Sequence, residues 1–211
     1  MIFGFLLFAD LEELDLVGPW EMIAMWSKYA GGPKRYLMIA ENPEPVNCSN
    51  GMILTPHASF RDAPQLDYLL IPGGIGTRSQ VKNAKLTGFV AAQAKHCKAV
   101  LSVCTGAFIL QAAGLLSGKR ATTHWLSLEH LRNMGDVEVA EERFVKDGNI
   151  WTSSGVSAGI DLALEFIRQE AGEETAGKVQ SFAEYYPTGK MYGKFHQDPK
   201  APGYLSSKIV D

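Results

Sequence analysis

Cys104 carries the most chemical information in the sequence. It stands in Ser102-Val103-Cys104-Thr105-Gly106, directly after the apolar run Ala99–Val103 and before the nearly all-apolar stretch Gly106–Leu116. A strand that enters a helix through so short a turn lifts one side chain above the sheet, the geometry of a nucleophile elbow. Ser102 takes the place of that motif's usual first glycine. A thiol at a helix N-terminus meets free N–H groups and the positive end of the dipole, which favour the reactive thiolate. The position fits an inert buried thiol equally well, because free cysteine is among the most buried residue types. Cys97, among Lys95, His96 and Lys98, and Cys48, between Asn47 and Ser49, read as incidental.

Asp15 lies between Leu14 and Leu16, just ahead of Gly18-Pro19. Apolar neighbours would raise its pKa toward the range useful for proton transfer. Without that role it is a capping or solvated carboxylate, as Asp10, Glu12 and Glu13 are expected to be in their polar run. Gly73-Gly74 follows the run Tyr68–Ile71 and offers either bare backbone N–H groups to an anionic intermediate or simply a tight turn. It is not a phosphate loop, since neither Gly-x-x-x-x-Gly-Lys nor Gly-x-Gly-x-x-Gly follows a strand. His124 has apolar, strand-edge surroundings, fitting an orienting partner of the thiol or a structural histidine; His57, His96, His130 and His196 read as surface residues. Cys-x-x-Cys and Cys/His spacings are absent, so no metal site is expected.

These groups must be positioned by regular elements. Ile2–Phe8, Tyr36–Ala40, Tyr68–Ile71 and Ala99–Val103 are short apolar runs of the kind buried on both faces of a parallel sheet. Between them lie helical stretches: one begun by Gly18-Pro19 and ended by Gly31-Gly32-Pro33, another over Leu86–Lys95. Residues 44–66 read as short, peripheral strand or hairpin pieces. A helix to about Arg132 follows Trp125, then strand pieces at Val137–Ala140, Arg143–Lys146 and Ile150–Thr152. In the helix from Gly155, Val156, Ile160, Ala163, Leu164 and Ile167 share a buried face, opposite Asp161, Glu165 and Arg168. A weaker helix spans Glu173–Tyr185, and the residues from 186 to 211 read as a loosely held tail. The expectation is an α/β fold: a single domain over residues 1–185, with a mostly parallel sheet sandwiched by helices. Ligands of such sheets bind beyond the carboxyl ends of the strands, where Asp15, Gly73-Gly74 and Cys104 all fall.

Composition agrees. The 211 residues are 46% hydrophobic and 20% charged, with a net charge of −3, which suits one globular domain and gives no electrostatic reason for a nucleic-acid partner. The apolar start lacks a basic segment and soon meets Asp10, Glu12 and Glu13, and no stretch reaches the roughly 20 apolar residues that span a bilayer. Met1 therefore reads as the start of a soluble, cytoplasmic protein without a membrane partner.

Five stretches in series carry a family likeness: Asp15-Leu16-Val17-Gly18-Pro19, Ile71-Pro72-Gly73-Gly74, Val103-Cys104-Thr105-Gly106-Ala107, Ala121-Thr122-Thr123-His124-Trp125 and Gly155-Val156-Ser157-Ala158-Gly159-Ile160-Asp161. Together they resemble the ThiJ/PfpI superfamily over roughly residues 1–185. The resemblance implies the class I glutamine amidotransferase-like, flavodoxin-like fold. Within the superfamily the chain is similar to isonitrile hydratases and to the amidotransferase-like domain of AraC-type regulators. Thr105 stands where the protease branch has a histidine, and no basic recognition helix follows before Asp211.

The implied activity is hydration of an isocyanide to a formamide, with Cys104 as nucleophile and Asp15 as acid and base. Thr105, Gly73 and Gly74 would orient the small-molecule substrate, with His124 in possible support. Neither metal nor organic cofactor is implied. A homodimer is, with the segment after Asp15 near its interface. The alternatives are a redox or small-molecule sensor modified at its cysteine, and a glyoxalase-like enzyme for reactive carbonyls. The substrate pocket is expected from residues 20–30, Ile75–Ser79 and 182–192.

Overall fold

The computed structural model describes residues 1–187, 192–193, 198–199 and 201–206. In chain order the strands are β1 (Ile2–Leu6), β2 (Arg35–Ala40), β3 (Val46–Asn47), β4 (Ile53–Leu54), β5 (Ala58–Ser59), β6 (Tyr68–Ile71), β7 (Ala99–Val103), β8 (Lys119–Ala121), β9 (Val137–Val139), β10 (Phe144–Asp147) and β11 (Ile150–Ser153). The helices are α1 (Glu13–Tyr29), α2 (Thr77–Gln80), α3 (Ala84–Ala94), α4 (Gly106–Ala112), α5 (Leu128–Arg132), α6 (Ala158–Ala171), α7 (Glu173–Phe182) and α8 (Gly203–Ser206).

The main sheet has the order β10-β11-β7-β6-β1-β2-β5 and is parallel throughout except where β10 runs against β11. Its central strands are buried on both faces, as their apolar runs require: every residue of β6 and β7 is buried. Helices α1, α6 and α7 pack on one another, while α4 packs on α2 and α3. The mostly parallel sheet flanked by helices matches the expected class. Phe166 of α6 stands among Phe3, Trp26, Tyr68 and Trp151, edge-on to each ring, with centroids 5.1–6.2 Å away. Such edge contacts each add about 0.5–1.5 kcal/mol beyond area burial.

The structure corrects two element boundaries that bear on the site. Helix α1 begins at Glu13, so Asp15 lies in its first turn rather than ahead of it, and Pro19 lies inside the helix. Residues 44–66 are also less peripheral than expected. β3 and β4 form an antiparallel hairpin, whereas β5 pairs with β2 as the edge strand of the main sheet.

Register sets the floor of the site. Ile71 pairs with Ser102 and Ser153 with Val103, so β6, β7 and β11 end side by side. The segments leaving them, with the loop after β1, share one edge.

Candidate active site

Cys104 occupies the single turn between β7 and α4 with φ of 55°, a left-handed conformation unfavourable for a residue with a β-carbon. Strain of this kind costs about 1–3 kcal/mol and persists only when the surroundings impose it. They do so here: Cys104 N–H donates to the carbonyls of Ser153 (3.1 Å) and Ser154 (3.3 Å), and its own carbonyl accepts from Thr123 Oγ1 (2.8 Å).

Asp15 is fully buried, and its Oδ2 accepts from the Gly73 N–H at 2.8 Å. Its Oδ1 is buried without a partner in full hydrogen-bond geometry, yet carboxyl and thiol lie within hydrogen-bonding range. Gly73 makes the meeting possible. A β-carbon there would fall 2.6 Å from Thr105 N, 2.8 Å from Asp15 Oδ2 and 2.8 Å from Cys104 Cβ.

Burial pushes the Asp15 carboxyl well above the usual carboxylate range; the Gly73 N–H opposes this and the Glu12 charge adds to it. Burial, followed by the Asp15 charge, likewise pushes the Cys104 thiol up. The expected drift toward thiolate is therefore reversed. Thr105 N–H and hydroxyl favour the anion, but they do not offset desolvation. Both shifts favour the protonated form of the group concerned. Burial also raises Cys48 to about 11 and Cys97 to about 12, so acidity does not separate the three cysteines. What separates Cys104 is its strained turn and its carboxyl neighbour.

The glycine loop departs from the oxyanion expectation. Both of its N–H groups already have protein acceptors: Gly73 donates to Asp15, and Gly74 to Thr105 Oγ1 at 3.1 Å. Thr105 Oγ1 in turn donates to the Gly74 carbonyl (3.1 Å) and meets Thr77 Oγ1 (3.2 Å). The loop thus aims the acid and fixes the residue after the thiol. His124 Nδ1 accepts from Leu126 N–H (3.2 Å), capping the turn Trp125–Ser127. Its ring also approaches the thiol: a β-carbon on Gly155 would lie 2.4 Å from His124 Cδ2 and 3.0 Å from Cys104 Sγ. Burial, then the Arg78 charge, lowers the His124 pKa and keeps the ring neutral.

The DJ-1/PfpI family model matches residues 3–169. The chain belongs to the DJ-1/PfpI family. It is similar to an isonitrile hydratase from Pseudomonas putida, with 38% identity over 208 residues, 99% of this chain and 86% of that protein. It is 30% identical to the HTH-type transcriptional regulator GbdR of Pseudomonas aeruginosa, over 86% of this chain and 50% of the regulator. A ThiJ/PfpI family protein from Pseudomonas syringae superimposes with a TM-score of 0.84 at 31% identity, covering 97% of this chain and 82% of that one. Drosophila melanogaster DJ-1beta, at 22% identity and a TM-score of 0.76 over 88% and 98% of the two chains, shares the fold.

Sequence reasoning about this family member missed three groups near the site. Glu13, expected to be solvated, is buried. Its carboxylate accepts from Asn50 N–H (2.7 Å), Asn50 Nδ2 (2.8 Å) and Met52 N–H (3.3 Å), tying the β3–β4 hairpin to the turn that carries Asp15. Arg78, inside the expected pocket segment but not singled out, brings a positive charge that helps lower the His124 pKa. Tyr204 of α8 lies half-buried against Ser154 and near Cys104, so this part of the expected tail reaches the site; much of 186–211, His196 included, lies outside the described residues. No local signal marks any of the three, because their partners are distant in sequence. Elsewhere His57, His96 and His130 are exposed. Among the described residues, no group of three His, Cys, Asp or Glu could hold a metal ion, and no helix is long and apolar enough to cross a membrane.

Proposed function

We propose that the protein hydrates isocyanides, adding water to R–N≡C to give the formamide R–NH–CHO. One observation carries the reading: a buried Asp15 carboxyl, anchored through Oδ2 and unspent at Oδ1, lies against the Cys104 thiol. Likeness to an isonitrile hydratase along 99% of the chain supports it.

The terminal carbon of an isocyanide carries a lone pair and becomes electrophilic once protonated. Protonated Asp15 gives its proton to that carbon. Sulfur of Cys104 then attacks the carbon while the thiol proton passes to the Asp15 carboxylate, leaving the thioimidate R–N=CH–S–Cys. In the second half Asp15 protonates the nitrogen and takes a proton from water as the water oxygen adds. Collapse of R–NH–CH(OH)–S–Cys releases the formamide, and Asp15 relays the hydroxyl proton to the departing sulfur. No electron acceptor or cofactor enters the balance. In this scheme Thr105 fixes the elbow and His124 walls the thiol as a neutral ring.

The same reading makes the protein a cytoplasmic homodimer, supported by exposed Leu14 on α1 and exposed Met52 and Ile53 on the adjoining hairpin. The test is formamide production from an alkyl isocyanide by wild type, Cys104→Ala and Asp15→Asn. Equal yields from all three would overturn the proposal, and lactate from methylglyoxal would mark glyoxalase-like chemistry instead.

A further inference from the structure

Arg78 adds a charged edge to the site. Its Nη1 donates to the Gly74 carbonyl (3.1 Å) and to Thr77 Oγ1 (3.3 Å), and the same carbonyl accepts from Thr105 Oγ1, one residue from the thiol. The guanidinium carbon lies 5.8 Å from the centre of the Phe108 ring. Two contacts and a ring therefore hold the group at the glycine loop, with its charge within electrostatic reach of His124, whose ring borders Cys104 across Gly155.

What the guanidinium lacks is a counter-charge. Arg120, Arg132, Arg143 and Arg168 each pair with a carboxylate, whereas the exposed Arg35, Arg61 and Arg78 have no ion pair among the described residues, and of these three only Arg78 is tied to the glycine loop. Only Nη1 is engaged, which leaves Nε and Nη2 available in the planar fork that matches a carboxylate. A guanidinium fixed at the edge of a nucleophile's site raises the local concentration of anionic ligands.

We propose that Arg78 is a specificity-determining residue that holds a carboxylate on the substrate while its reacting carbon meets Cys104. The reacting group rests on the isocyanide reading; the anion preference does not. The decisive experiment alkylates Cys104 with iodoacetate and with iodoacetamide, which differ in charge at similar size, and follows the Cys104 peptide by mass spectrometry. The iodoacetate-to-iodoacetamide rate ratio should fall about fivefold or more in Arg78→Met. It should largely recover in Arg78→Lys, and decline with added salt in wild type. A ratio unaffected by Arg78→Met or by salt overturns the proposal. In parallel, a carboxylate-bearing and a neutral alkyl isocyanide are compared as substrates. If neither is hydrated while the alkylation ratio still depends on Arg78, the hydratase reading fails and the anion preference stands. If the neutral isocyanide is hydrated but the ratio does not move, the reverse holds.

Discussion

The Gly73 N–H points its hydrogen at Asp15 Oδ2 across 2.8 Å, and a β-carbon on the same glycine would intrude on that oxygen. One residue both aims the acid and limits the space around it. Gly73→Ala must displace Asp15 or the Thr105 backbone, at about 1–3 kcal/mol. Urea unfolding should register that loss, and formamide production should drop with it. Unchanged values for both would show that the contact is slack.

Replacing the acid separates two roles. Asp15→Asn removes the transferable proton, and formamide production should fall about 10²- to 10⁴-fold. It also removes the charge that opposes thiolate formation, so the Cys104 pKa should drop. The pH dependence of Cys104 alkylation measures the second effect without any substrate.

Stability should respond to pH with a definite sign. The folded Asp15 pKa lies above its ordinary value of 3.8, so the folded protein retains a proton that the unfolded chain gives up. The associated stability is complete below about 3.8 and is lost as pH rises through the folded value. Cys104 repeats the pattern above its ordinary 9.0. Glu13, Glu41, Asp147 and Glu165, whose pKa values are lowered, contribute the opposite sign in both proteins, so the test is the difference in denaturation midpoint between wild type and Asp15→Asn, which should move against wild type as pH rises through the acid range. A difference that stays constant across the acid range would contradict the assignment.

Thr105→Val keeps shape and removes the hydroxyl that meets the Gly74 N–H, the Gly74 carbonyl and Thr77. Unsatisfied partners cost about 1–3 kcal/mol. Thermal unfolding should show this loss. Activity should fall as well, because the loop that aims Asp15 loosens.

Much of the fold was legible because its signals are local. The apolar runs of β1, β6 and β7 are contiguous, and of the face expected on α6 Ala163 and Ile167 are buried, whereas Ile160 and Leu164 are only partly so and the fully buried Leu162 and Phe166 lie outside it; the helix starts at Ala158 rather than Gly155. Cys104 and Asp15 stood out by position beside such elements. The departures have long-range causes. Pro19 read as a helix opener, yet it packs against Gly159 of α6, where a β-carbon would come within 2.9 Å of its ring. Glu13 is buried by a hairpin some forty residues on, and Arg78 gains meaning only when folding sets Phe108 beside it and His124 within reach of its charge.

Pro19 has a further effect on the acid. It follows Asp15 by four residues and has no N–H, so the bond that would tie the Asp15 carbonyl into the helical ladder cannot form. Asp15 rides on α1 but is only partly governed by it. Its bearing is taken from Gly73 across the sheet edge, as a compass needle takes its bearing from a field and not from its mount.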